Sequence, residues 1–201
     1  ESDGTEAKYL NSPETVLFEK SKVLYGFDRA KLEIRKQDFS LLVEGQMDLI
    51  MSHQAGISNA VASSGTVLTT EQLEILRRLS ENLFICYDGD KAGEAAAARG
   101  WQLALNLGMN VKIVTLPEGK DPADMVVTDF PGFQKAIAEA RHIIDVELER
   151  ILKTTSDSRE KVLVVEKILL PLVAQIKSDI EKAHFITTIS ERAKITEEIL
   201  W

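Results

Sequence analysis

Only one cysteine, Cys86, occurs in this 201-residue chain, which excludes an internal disulfide and any zinc site built on several thiolates. No apolar run approaches the roughly 20 residues that span a bilayer. The opening Glu1-Ser2-Asp3 lacks the basic-then-apolar pattern of a secretory signal. The three histidines, His53, His142 and His184, have no partners at metal-ligand spacing, and neither Gly-x-Gly-x-x-Gly nor a Walker A pattern occurs. What remains is a cytoplasmic α/β protein of one domain, with at most a small appendage.

The acid is unevenly spread. Of the net charge of −8, residues 1–40 and 131–201 contribute little, holding seven basic against eight acidic and eleven against twelve side chains. Residues 41–130 hold six basic and twelve acidic side chains. Without Glu44, Asp48, Asp88, Asp90, Asp121 and Asp124 that block would be neutral. The acidity therefore sits at motif-like positions instead of on a solvated face. Crowded carboxylates repel one another, and divalent cations would offset that repulsion.

Ser12-Pro13-Glu14 has the form of a helix start, and the pattern predicts an extended arm to residue 13 followed by a helix to about Lys36. From Phe39 strands and helices alternate. Strand 39–44 precedes a helix from about Met47 to Ala55, closed by Gly56, and 60–63 is a short strand. Thr69-x-x-Gln72 is a capping box that opens a helix with Leu73, Leu76 and Leu79 inward. Strand 83–87, a helix ending near Gly108, and strand 111–116 follow. This alternation implies right-handed crossovers and a mainly parallel sheet, whose ligands gather beyond the carboxyl ends of the strands. Beyond Asp129 the pattern is helical. Phe133, Ile137, Ala140, Ile144, Leu148 and Ile151 are predicted to share one face. A second helix, kinked at Pro171, carries Val162 to Ile176, and a third runs from about Asp179 to Ala193.

Two apolar runs end in acids: Leu41-Leu42-Val43 in Glu44-Gly45-Gln46-Met47-Asp48, and Leu83 to Tyr87 in Asp88-Gly89-Asp90-Lys91. Asp88 and Asp90, two residues apart across a glycine turn, can share a hard cation such as Mg²⁺. A lone Asp-Gly-Asp is more often a solvated turn, but two such motifs at strand ends of one sheet are more specific. Asp121-Pro122-Ala123-Asp124 adds acids after the next strand, and capping of a helix by Asp121 is compatible with a metal role.

Glu44-Gly-x-x-Asp48, Asp88-Gly-Asp90-x-Ala-Gly93 and Lys120-Asp121-Pro122 resemble the Toprim module of bacterial DnaG-type primases. Lys8-Tyr9-Leu10-Asn11-Ser12-Pro13-Glu14-Thr15 resembles the primase catalytic core just before that module. Topoisomerases and OLD-family nucleases share the acids but do not usually carry this arm. The resemblance implies a Toprim-type mainly parallel sheet flanked by helices over 39–130 and a small all-α helical subdomain over 131–201. Residues 1–38 would be an arm and helix from the end of the preceding core subdomain.

The activity implied is DNA-dependent synthesis of short RNA primers on single-stranded DNA by nucleotidyl transfer, with Mg²⁺ or Mn²⁺, two or more ions, and no zinc in this stretch. The metal ligands implied are Asp88 and Asp90, with Asp121 supporting another ion. Glu44 is a ligand or a base, and a ligand is favoured. Asp48 is counted with the metal-site residues, where it orients a bound water or a ligand, or else it is merely solvated. Lys8, Tyr9 and Asn11 match the family's nucleotide-phosphate contacts, and Lys91 either holds phosphate at a helix start or is solvated. Many primases carry an acid where Ala123 stands, which leaves the ion count open.

Implied partners are NTPs, the single-stranded DNA template, the RNA–DNA hybrid, the replicative helicase through a domain absent here, and alarmone nucleotides; no membrane is implied. The resemblance also implies a fragment that binds metal and NTP but primes poorly alone, because the basic template track would lie elsewhere. Two rival readings are a Toprim-family nuclease or topoisomerase fragment and a regulatory nucleotide-binding module. Cys86 is read as a buried small hydrophobe. Trp101 and Tyr87 are read as packing residues in preference to base-stacking ones, and Ser63-Ser64-Gly65-Thr66 as a strand-end turn or a phosphate cradle.

Overall fold

Leu41, Leu42 and Val43 alternate between the two faces of a strand, yet all three are fully buried, so that strand must be covered on both sides. The computed structural model describes residues 12–16, 18–63, 68–87 and 100–201. Among these residues there are five strands: β1 (Ser40–Val43), β2 (Ala60–Ala62), β3 (Asn82–Cys86), β4 (Asn110–Ile113) and β5 (Arg141–His142). They form one sheet in the order β2-β1-β3-β4-β5, parallel except for β5. The chain leaves β1 for one side of the sheet and then returns to place β3 on the other. The crevice between the carboxyl ends of β1 and β3 is thus a topological switch point, where open α/β sheets hold their ligands.

The helices divide as that switch requires. Helix α1 (Phe27–Gln37), α3 (Thr70–Arg77) and the helical segment 100–106, α4, cover one face. There Ile34, Leu73, Leu76, Trp101 and Leu105 meet Leu42, Leu83, Ile85 and Val111. Helices α2 (Gln46–Gln54), α5 (Pro122–Thr128) and α6 (Phe130–Ala138) belong to the opposite face. On that side Leu49, Met125 and Phe133 meet Leu41, Val43, Cys86 and Val114. The amino ends of β3 and β4 are tied by side-chain amides. Asn110 Nδ2 donates to Asn82 Oδ1 at 2.9 Å, and Asn82 Nδ2 donates to the Asp38 carbonyl at 2.8 Å.

The predicted helix over 13–36 forms only from Phe27. Residues 12–14 have no regular structure, Thr15 and Phe18 form an isolated bridge, and Lys20–Lys22 is a single 3₁₀ turn. Two features stop the helix from extending backward. Gly26 adopts φ +78°, and Tyr25 exchanges backbone hydrogen bonds with Ala62 at 2.9 and 3.1 Å, which covers the open edge of β2. The strand expected at 111–116 also ends early, at Ile113.

The single face predicted from Phe133 to Ile151 is instead two faces. After α6 the chain forms β5 and only then enters α7 (Ile143–Thr154). Phe133 therefore packs on the α2 side, while Ile144, Leu148 and Ile151 join the other core. The next helical run has three parts: α8 (Ser158–Val164), a π-helical turn over Val165–Leu169, and α9 (Leu170–Ala174). Pro171 has no N–H to continue the α ladder, and the wider turn lies just before it. Helices α10 (Asp179–Ala193) and α11 (Glu197–Leu200) complete the chain. Phe185, Ile189 and Leu200 share one apolar cluster with the strands, so the helical part is continuous with the α/β core.

Candidate metal centre

Glu44 follows β1 directly. Val43 pairs with Cys86 in the β1–β3 register, so Glu44 stands beside Tyr87, the last described residue before Asp88. The Tyr87 phenol is pushed up to about 12, first by burial, with the Glu44 charge adding to the rise and a hydrogen bond with Ser63 opposing it. Tyr87 thus remains a neutral phenol at any working pH, next to the Glu44 carboxylate. Ser63 follows β2, on the other side of β1 from Tyr87. The Tyr87–Ser63 contact therefore reaches across the end of the strand that delivers Glu44.

Asp121 approaches the same rim from the loop after β4. It caps α5, accepting the Asp124 N–H on Oδ1 at 2.6 Å, and Pro122 occupies the first turn without needing a hydrogen-bond partner. Asp48, in the first turn of α2, is 7% exposed. Its Oδ2 accepts the Gly45 N–H at 3.0 Å and its Oδ1 accepts the Ala123 N–H at 3.2 Å. Burial raises the Asp48 carboxyl above the ordinary range. The Gly45 and Ala123 N–H groups pull it back down, and the Asp121 charge adds to the rise. Solvation of Asp48, one of its two sequence readings, is thereby corrected. The spacing Gly45-x-x-Asp48 is that of a capping box, the signal in the sequence that could have revealed the first of these bonds.

The structure brings Glu44, Asp48 and Asp121 to one rim. Asp88, Asp90, Lys91, Lys8, Tyr9 and Asn11 lie outside the described residues. Ser63 is buried, and the rest of its turn also lies outside them. Trp101 is buried in the core as a packing residue, and Cys86 is fully buried. Of the histidines, His53 contacts the Ala60 carbonyl at 2.9 Å, and His142 accepts the Ile144 N–H on Nδ1 at 3.2 Å.

Among the described residues no three acidic, histidine or cysteine side chains are grouped to hold an ion. The donors at the rim are carboxylate oxygens, the kind that suits Mg²⁺ or Mn²⁺ and not a thiolate-seeking metal. In kind the described residues at the rim fit a hard divalent cation.

Residues 41–126 match the Toprim-like family, and residues 2–31 match the N-terminal domain of the DNA primase catalytic core. The DNA primase of Clostridium acetobutylicum is 36% identical over 201 residues, covering 99% of this chain and 33% of that protein. A DNA primase domain from Pseudomonas aeruginosa superposes with a TM-score of 0.82 at 30% identity, covering 98% of this chain and 63% of that one. This chain is a relative of the bacterial DnaG-type primase catalytic cores. A DnaG catalytic core superposes at a TM-score of 0.84 and 29% identity, covering 98% of this chain and 66% of the other. The primase relationship thus takes in the helical part as well as the sheet. The chain spans about a third of the length of the curated relatives it matches along nearly its whole extent. Among the described residues no helix is long and apolar enough to cross a membrane.

Proposed function

We propose that this chain supplies the carboxylate part of a nucleotidyl-transfer centre in a bacterial DNA primase. In that reaction a 3′-hydroxyl attacks the α-phosphorus of an incoming NTP and pyrophosphate leaves. The observation that supports this most directly is the meeting of Glu44 with Tyr87 at the β1–β3 switch point, with Asp121 on the same rim. Kinship with primase cores then selects primer synthesis among the reactions that such a rim can serve.

Mg²⁺ or Mn²⁺, held by Glu44, Asp88, Asp90 and Asp121, would lower the pKa of the attacking hydroxyl and offset the charge on the leaving phosphates. The chain's own residues set the stage for this. Glu44 is fixed by a rigid, doubly covered strand, and its neighbour Tyr87 stays protonated and adds no competing charge. Asp121 caps α5 through Oδ1, which fixes its carboxylate at the start of that helix. Lys8, Tyr9, Asn11 and Lys91 are proposed to meet the NTP phosphates. One structural relative was solved bound to single-stranded DNA, which supports that template class for this chain.

Mn²⁺ titration of the protein by calorimetry tests the site. The double variant Asp88→Ala/Asp90→Ala is expected to lose tight binding, and Glu44→Ala to weaken it. Unchanged affinity in the double variant removes the metal assignment. Primer extension on single-stranded DNA by the full-length protein, abolished by Glu44→Ala, tests the reaction itself.

A further inference from the structure

We propose that Asp48 is a positioning residue that locks the loop carrying Glu44 to the loop carrying Asp121, and that it is not a ligand to the ion. This rests on reading the rim as a metal centre.

An acid at the third position of a helix ordinarily returns one oxygen to the N–H at the cap. Asp48 does this with Oδ2, at 3.0 Å from the Gly45 nitrogen. Its other oxygen reaches a different part of the chain, 3.2 Å from the Ala123 nitrogen and 75 positions away. The two loops follow β1 and β4, which are not neighbours, because β3 lies between them. One carboxylate therefore ties together loops that follow two strands not paired with each other.

The amino end of α5 shows how the parts interlock. Pro122 has no N–H, the Ala123 N–H goes to Asp48, and the Asp124 N–H goes to Asp121. Asp48 and Asp121 thus share the capping of one short helix, and shifting Asp48 would shift Asp121. Because the donor is the Ala123 main chain, the link does not depend on the side chain at 123. Gly45 is drawn so close that a Cβ there would lie 2.8 Å from Asp48 Oδ2. Both carboxyl oxygens are already committed to backbone donors, and the side chain is buried. Such a group acts through the residues it holds.

The test compares the wild-type protein with Asp48→Ala and Asp48→Asn by amide hydrogen exchange at residues 45 and 123 and by Mn²⁺ calorimetry. In Asp48→Ala both amides are expected to lose protection. Mn²⁺ affinity should fall roughly 10–100-fold, as for loss of a residue that orients ligands, with the number of bound ions unchanged. Asp48→Asn, which keeps one carbonyl oxygen, should retain protection at one of the two amides and recover part of the affinity. If Asp48→Ala fails to fold, Asp48→Asn carries the same readout, and protection kept at both amides overturns the proposal. Loss of one bound ion with both amides still protected makes Asp48 a ligand and likewise overturns it. Wild-type protein that binds no Mn²⁺ would sink the metal reading alone. The exchange data would still decide whether Asp48 joins the loops.

Discussion

Gln72 Nε2 donates to the Val23 carbonyl at 2.8 Å and to the Lys20 carbonyl at 3.1 Å, fastening the segment before α1 to the start of α3. Gln72 is fully buried, its Oε1 accepts the Thr69 N–H at 3.1 Å, and Thr69 Oγ1 donates to the Ser21 carbonyl. The capping box predicted from sequence is thus also a clasp on another part of the chain. In the sequence that part lies between Lys8–Asn11 and α1.

Replacing Gln72 with leucine keeps the volume but strands three backbone groups. Each buried group left without a partner costs about 1–3 kcal/mol, so Gln72→Leu should destabilise the protein by about 3 kcal/mol in urea unfolding. Hydrogen exchange should rise across 20–25 before it rises in the strands. A loss below about 0.5 kcal/mol, the usual range for a neutral surface change, would show that the clasp contributes nothing.

Phe133 of α6 belongs to the same apolar cluster as Leu49 of α2 and Met125 of α5 and is fully buried. Phe133→Ala should cost about 3–5 kcal/mol and Leu148→Ala, on the opposite face, about 2–5 kcal/mol. The two differ in reach, because Met125 of α5 belongs to the Phe133 cluster. Only Phe133→Ala should speed amide exchange at Ala123 and weaken Mn²⁺ binding. Equal effects of both variants on the rim would mean that the two cores do not act separately.

His142 is held neutral. Burial pushes its pKa down to about 4, and the Lys112 charge adds to the shift. Nδ1 accepts the Ile144 N–H, and the ring lies over Phe185 with centroids 4.5 Å apart. In the unfolded chain the imidazole returns to its ordinary value near 6.5. The unfolded state therefore takes up the proton first as pH falls. Stability from this group is complete above about pH 6.5 and is lost progressively toward pH 4, by at most about 3 kcal/mol. His142→Asn can still cap α7 but does not titrate. The wild-type minus variant difference in unfolding free energy should shrink between pH 7 and pH 4.5, and a flat difference would refute the assignment.

The centre of the sheet was legible because β1 and β3 are short apolar runs that lead into an acid, and both faces are covered. Helix α10 was legible end to end, with Ser178 as its cap and Ala193 as its last residue. The helix expected from Ser12-Pro13 was not, because its fate depends on Tyr25 pairing with Ala62, a contact between distant residues that no local signal announces. The same holds for β5, two residues long, which splits an apparently continuous helical pattern by pairing with β4. At the rim, the residue types of Glu44 and Asp121 were readable from motif and strand end. The second bond of Asp48 was not, because it joins residues 75 positions apart.

Gly45 has extended backbone angles, φ −101° and ψ 162°, which any residue can adopt, so only its neighbour excludes a side chain. That neighbour is Asp48 Oδ2, 2.8 Å from where a Cβ would stand. Gly45→Ala must displace the carboxylate or the loop, at a cost of about 1–3 kcal/mol for overpacking. In Asp48→Ala the obstructing atoms are gone, and the same alanine at 45 should cost almost nothing. The double variant should then be more stable than the sum of the single losses implies, by about 1–3 kcal/mol, within the range of coupling found between residues in contact. Urea unfolding of the wild type, both single variants and the double variant measures this directly. Strictly additive losses would mean that the close approach of Gly45 and Asp48 does not constrain the loop.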